Sequence, residues 1–140
     1  MAPSRDRNAY LATAVAGAPP ERLLTMLYDA LVSNIAIAEG ALEAKDYYTL
    51  NERLVRSQAI VLELQGTLKP DLWSGGPALM SIYAYVYKLL VAGNVQRDAK
   101  ALADARGLLE PLQDAWHTAA DQVMAQKTAG GRGSDLAASA

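Results

Sequence analysis

Several residue types and motifs that enzymes depend on are missing from this sequence. It contains no cysteine, which excludes disulfide scaffolds, thiolate zinc sites and thiol catalysis, and fits a reducing compartment. Its single histidine, His117, follows Asp114 at a spacing seen in di-iron bundles, but the second copy of that motif is absent. A Ser-His-Asp constellation and a GxxxxGK[ST] phosphate loop are missing as well. We therefore expect no enzymatic activity, no metal site and no cofactor.

Positive charge and long apolar runs are also scarce. The chain has 13 Lys and Arg against 15 Asp and Glu, a net charge of −2 at pH 7. A protein that follows a phosphate backbone needs a basic face, so nucleic acid is not the expected partner. We find no apolar run of about 18 residues to cross a bilayer. The alanine-rich stretch at residues 9–18 has few large aliphatic side chains for a signal peptide. We expect a cytoplasmic protein without membrane insertion.

Strand signals are missing too, whereas helical ones are frequent. Phenylalanine is absent, and no stretch shows the alternation of a half-buried strand. Proline suits the first turn of a helix, so Pro20 and Pro77 are expected to open the first and third of four helices. Asp46 and Asp98 are expected to cap the second and fourth helices. Pro111 should kink or split the fourth helix.

Each predicted helix has one apolar seam that advances in steps of three and four residues. Four such seams joined by short connections predict an all-α, antiparallel up-down four-helix bundle at residues 19–127. Residues 1–18 are predicted to form a short helical or cap segment, and residues 128–140 a flexible tail. The predicted core positions are Leu24, Tyr28, Leu31, Ile35, Ala38 and Leu42; Leu50, Leu54, Ser57, Val61, Leu64 and Leu68; Leu79, Ile82, Val86, Leu89 and Gly93; and Leu102, Ala105, Leu109, Leu112, Trp116, Ala119 and Val123.

The second and third helices each carry an additional apolar stripe outside the seam. Exposing large apolar side chains forfeits about 1.5–3 kcal/mol each and leaves an unusually large patch for a soluble monomer. Either loops or the N-terminal segment cover the stripes, or a partner docks an amphipathic helix or extended segment between them. The stripe residues are Tyr48, Val55 and Leu62 on the second helix, and Met80, Ala84, Tyr87 and Val91 on the third.

The N-terminal part of the sequence resembles a known family. Asn-Ala-Tyr at 8–10 is followed at 18–30 by Ala-Pro-Pro-Glu-Arg-Leu-Leu-Thr-Met-Leu-Tyr-Asp-Ala. This ordered series resembles the FliS flagellar export chaperones, and the resemblance continues over roughly residues 8–118. Ala30 stands where the family usually has glycine, and the family's glutamine soon after Tyr10 is missing. The signature residues are Leu27, Tyr28 and Asp29.

The resemblance implies a bundle that binds the disordered C-terminal segment of flagellin in the cytoplasm. Binding would prevent premature polymerisation, and the loaded chaperone would contact the gate of the flagellar type III secretion apparatus. Applied to this chain, it makes Tyr48, Val55, Leu62, Met80, Tyr87 and Val91 the expected flagellin-binding residues. The resemblance also implies that an N-terminal cap with Asn8, Tyr10 and Leu11 vacates or repositions when flagellin arrives. The alternative is a helical homo-oligomeric scaffold or adaptor that uses the same stripes.

Overall fold

The computed structural model of the chain describes residues 20–68 and 74–139, and the described part is almost entirely helical. No strand occurs within these two ranges, which confirms the predicted all-α class. The four helices are α1 (Pro20–Glu43), α2 (Tyr47–Thr67), α3 (Gly76–Val95) and α4 (Ala99–Ser139).

The helices begin where local sequence signals predict. Pro20 is the first residue of α1, and Pro77 lies in the first turn of α3. Asp46 caps α2, because its carboxylate accepts hydrogen bonds from the Thr49 backbone N–H at 3.2 Å and from the Thr49 hydroxyl at 2.7 Å. These two bonds lower the pKa of Asp46. Asp98 likewise accepts from a backbone N–H in the first turn of α4, at 3.1 Å.

Side-chain contacts between the helices give their relative directions. Asp29 near the start of α1 bonds Gln113, and Glu39 further along bonds Arg106, so α1 and α4 run antiparallel. The two tight turns, at residues 44–46 and 96–98, reverse the chain between α1 and α2 and between α3 and α4. Each turn contains one residue with left-handed backbone: Lys45 with φ 59° and Arg97 with φ 53°.

The buried side chains confirm most of the predicted seams and correct one of them. In α3 the core positions are Tyr83 and Leu90, whereas the predicted Ile82 and Leu89 are only partly buried. Tyr83 can enter the core because its hydroxyl lies 2.6 Å from the hydroxyl of buried Tyr28, so neither polar group is left without a partner. The other predicted positions that are only partly buried are Leu24, Leu42 and Leu68, at or near the ends of α1 and α2, and Leu112, Trp116, Ala119 and Val123, in the middle of α4.

The described residues belong to two compact units. One is Leu27–Ala115, which holds the interhelical contacts given above; the other takes in residues 20–26 and 116–139. α4 continues through Pro111, so the helix is not split there, and the alternative prediction of a kink at Pro111 stays a prediction. α4 also extends over residues 128–139, which the sequence pattern assigned to a flexible tail. The division of the chain at residues 18 and 127 stays a prediction.

Two helices are long and apolar enough to cross a membrane by length and composition, contrary to the estimate from apolar runs. They are residues 22–43 of α1 and all of α3. Core helices of soluble proteins pass the same test, and both helices contribute side chains to the buried core of Leu27–Ala115. Length and composition therefore assign neither helix to a membrane.

Candidate binding groove

A hydrogen bond between α2 and α3 shows which sides of these helices face each other. The Nδ2 of Asn94 donates to the Oδ1 of Asn51 at 2.9 Å. At 100° per residue, Val55 lies about 40° from Asn51 around α2, away from the core. Val91 lies about 60° from Asn94 around α3, also away from the core. The outward sides of the two facing flanks therefore form a single groove, which we call the α2/α3 groove.

By the same spacing of 100° per residue, the six predicted binding residues fall on these two outward sides, within about 60° of Asn51 around α2 or of Asn94 around α3. On α2, Tyr48 is 80 % exposed, Val55 50 % and Leu62 53 %. The three α3 residues are partly buried: Met80, Tyr87 and Val91. The groove thus has one open apolar wall on α2 and one more sheltered wall on α3. Among the described residues, no loop or helix covers the α2 wall. The expectation that a loop or the N-terminal segment covers it concerns residues outside the described ranges and stays open. The role of the α2 wall in binding flagellin stays a prediction.

The six predicted binding residues of the groove are all apolar or aromatic. None of the six side chains carries a charge, and the tyrosine hydroxyls provide the polar atoms on the walls. The Asn51–Asn94 pair adds a solvent-exposed amide bond near the start of α2 and the end of α3. Such a surface suits an apolar segment of another chain and offers no acid, base or nucleophile suited to catalysis. Within residues 20–68 and 74–139, no group of three or more His, Asp or Glu side chains is placed to hold a metal ion.

The family-signature residues lie away from the groove. Tyr28 is fully buried against Tyr83, with ring centroids 6.3 Å apart. Asp29 is exposed and accepts a hydrogen bond from Gln113 of α4 at 2.8 Å. Leu27 is partly buried. Tyr28 and Asp29 therefore join α1 to α3 and α4. The cap residues Asn8, Tyr10 and Leu11 lie outside the described part of the chain.

The structure also shows features that sequence reasoning missed. Tyr85 is 52 % exposed on the side of α3 that faces α4, where it lines a shallow cavity of about 390 Å³ with Leu108. A second cavity, of about 470 Å³, lies between the end of α1 and the α3–α4 turn, beside Glu43 and Arg97. Arg97 itself stacks on the Tyr47 ring, 3.5 Å from its centroid. Helical periodicity cannot reveal contacts of this kind, because they depend on how separate helices meet.

Comparison with known proteins gives one consistent family. The FliS family, described as "Flagellar protein FliS", matches residues 3–123. The flagellar secretion chaperone FliS of Bacillus subtilis is 33 % identical over 119 residues, covering 85 % of this chain and 89 % of that protein. The FliS of Salmonella typhimurium is 31 % identical over 109 residues, covering 74 % and 78 %. A solved bacterial flagellar chaperone has a TM-score of 0.68 at 19 % identity, covering 84 % of this chain and 98 % of its own, and so has a similar fold.

Proposed function

This chain belongs to the FliS family of flagellar proteins, and on that basis we propose that it is a secretion chaperone that holds the C-terminal segment of flagellin in the α2/α3 groove. The family is one of chaperones and not of enzymes. We choose this groove because the apolar wall on α2 is exposed. Tyr48, Val55 and Leu62 are each at least half exposed, although a lone folded domain gains by burying such side chains.

The physical action of the groove is to bury apolar surface of a segment that is disordered when free. Such a segment folds as it binds, and the free energy of burial offsets the cost of ordering it. Flagellin held in this way cannot present the same surface to other flagellin molecules, so it does not polymerise before export. We place this binding in the cytoplasm and expect the loaded complex to engage the flagellar export gate.

Charge substitution in the groove tests this placement. Leu62→Glu and Val91→Glu each bring a charge into an interface that is otherwise apolar. We expect each to weaken flagellin binding by about 2 kcal/mol or more, measured by calorimetry. Ile37→Glu is the matched control, because Ile37 is 40 % exposed on α1, which does not line the groove. Unchanged affinity in both groove variants, with folding intact, would refute the placement.

A homo-oligomeric scaffold that uses the same stripes is the competing function. The two functions differ in what the protein does when flagellin is added. Size-exclusion chromatography with light scattering should show a one-to-one complex replacing the free chaperone. A scaffold would stay oligomeric, and its mass would not respond to flagellin.

A further inference from the structure

The polar bond in the α2/α3 groove is its most distinctive chemical feature. Asn51 lies between Tyr48 and Val55 on α2, and Asn94 lies one turn after Val91 on α3. The 2.9 Å bond that joins the two amides is solvent-exposed. Two asparagines therefore meet at one end of a groove whose predicted contact residues are otherwise apolar or aromatic.

The pair has hydrogen-bonding capacity that this bond does not use. An asparagine amide has two N–H donors and a carbonyl oxygen with two lone pairs. Their mutual bond uses one N–H of Asn94 and one lone pair of Asn51. Within the described part of the chain, neither side chain makes another hydrogen bond. The pair therefore presents both a donor and an acceptor to the groove, the complement of a peptide group with its C=O and N–H.

A bound segment must supply hydrogen-bond partners for these polar groups, because it displaces the water that solvates them. Leaving them without partners costs binding free energy, whereas a peptide group of the segment can satisfy them. The backbone in the middle of a helix cannot do so, since its N–H and C=O groups are already paired. An extended backbone or a helix end has the free groups that are required.

We propose that the Asn51–Asn94 pair binds a backbone peptide group of the flagellin segment and thereby sets the register of that segment in the groove. This inference rests on the proposed function and specifies the chemistry of the bound chain. The segment is extended, or at a helix end, where it crosses the asparagines. Its apolar side chains then follow the walls towards Leu62 and Met80.

An apolar replacement of the pair separates this role from simple hydrophobic contact. The double variant Asn51→Leu, Asn94→Leu keeps side chains of similar size and removes both amides from the groove. We expect its affinity for a C-terminal flagellin peptide, measured by calorimetry, to fall about tenfold or more. Asn34→Leu is the control, because Asn34 lies on α1, where it donates to the Ala30 carbonyl and accepts from Arg53 of α2, outside the groove. This variant should leave the affinity unchanged. Melting temperatures of all variants show whether each bundle is intact.

Peptides in which single backbone amides are replaced by esters provide a readout that a merely structural role would not change. With the wild-type protein, one ester position should weaken binding several-fold, and in the double variant that position should lose its effect. A double variant that binds as tightly as wild type overturns the inference, as does a peptide series without a sensitive position. If wild type binds and Leu62→Glu does not, the proposed function survives that result. A wild-type protein that does not bind flagellin overturns the proposed function, and this inference with it.

Discussion

Replacing Gly93 with alanine would test how closely α3 packs on α4. Gly93 is buried in α3, and a methyl group added at its Cα would lie 2.7 Å from the Cγ of Leu102 and closer still to one of its terminal methyls. Leu102 is itself fully buried in α4. The clash involves the Cγ branch point of the leucine as well as its tip, so rotation about χ2, which moves only the terminal methyls, does not relieve it. Relief requires α3 and α4 to move apart or Leu102 to displace its neighbours.

Two opposing effects set the change in the free energy of unfolding that Gly93→Ala causes. Alanine is favoured over glycine inside a helix by about 1 kcal/mol. Overpacking a well-packed core costs about 1–3 kcal/mol. Because the contact reaches the Leu102 Cγ, we expect the cost to lie at the upper end of that range. The free energy of unfolding should therefore fall by about 1–2 kcal/mol, which urea denaturation followed by far-UV circular dichroism can resolve.

Two other helical glycines give matched controls. A Cβ added at Gly40 or Gly107 meets no heavy atom within 4 Å. At these sites only the helix preference applies, so alanine should stabilise the protein by about 0.5–1 kcal/mol. If Gly93→Ala proved as stable as Gly107→Ala, the close contact between α3 and α4 would be refuted.

Shortening Leu102 should partly rescue the substitution. Leu102→Ala alone leaves a cavity and should cost about 2–5 kcal/mol. In the double variant the new methyl at position 93 occupies some of the vacated space. The combined loss should then be smaller than the sum of the single losses by at least about 0.5 kcal/mol. Strict additivity would mean that the two side chains do not compete for the same volume.

Two further predictions follow from the core and from the N-terminus. Burial, reinforced by the hydrogen bond with Tyr28, raises the pKa of Tyr83 well above its ordinary value. Because the pKa of Tyr83 is higher in the folded state than in the unfolded state, its contribution to stability is fully present below about pH 10 and is lost as the pH rises further. The midpoint of urea denaturation should therefore fall above that pH. It should fall less steeply in the Tyr83→Phe variant. We also propose that residues 1–18, through Asn8, Tyr10 and Leu11, occupy part of the groove when flagellin is absent. Removing residues 1–15 should raise self-association in light scattering and change the flagellin association rate in stopped flow; a truncated protein altered only in melting temperature would contradict the cap.

The sequence alone determined the features that depend on neighbouring residues. The starts of α1 and α2 follow from Pro20 and Asp46, because proline geometry and capping bonds act within one turn. The seam of α2 is predicted correctly from Leu50 to Leu64, since a single unambiguous stripe has only one way to face a core. The family resemblance, which depends on an ordered series of residues, is confirmed by the match over residues 3–123.

Only the tertiary structure decided the features that depend on two distant segments. Periodicity places Ile82 or Tyr83 in the α3 core almost equally well, and hydrophobicity alone favours burial of the isoleucine. The choice falls to Tyr83 because Tyr28, 55 residues earlier, supplies a hydroxyl partner for it. The Asn51–Asn94 bond in the groove arises in the same way. No local pattern marks either asparagine, because the bond exists only where the start of α2 meets the end of α3.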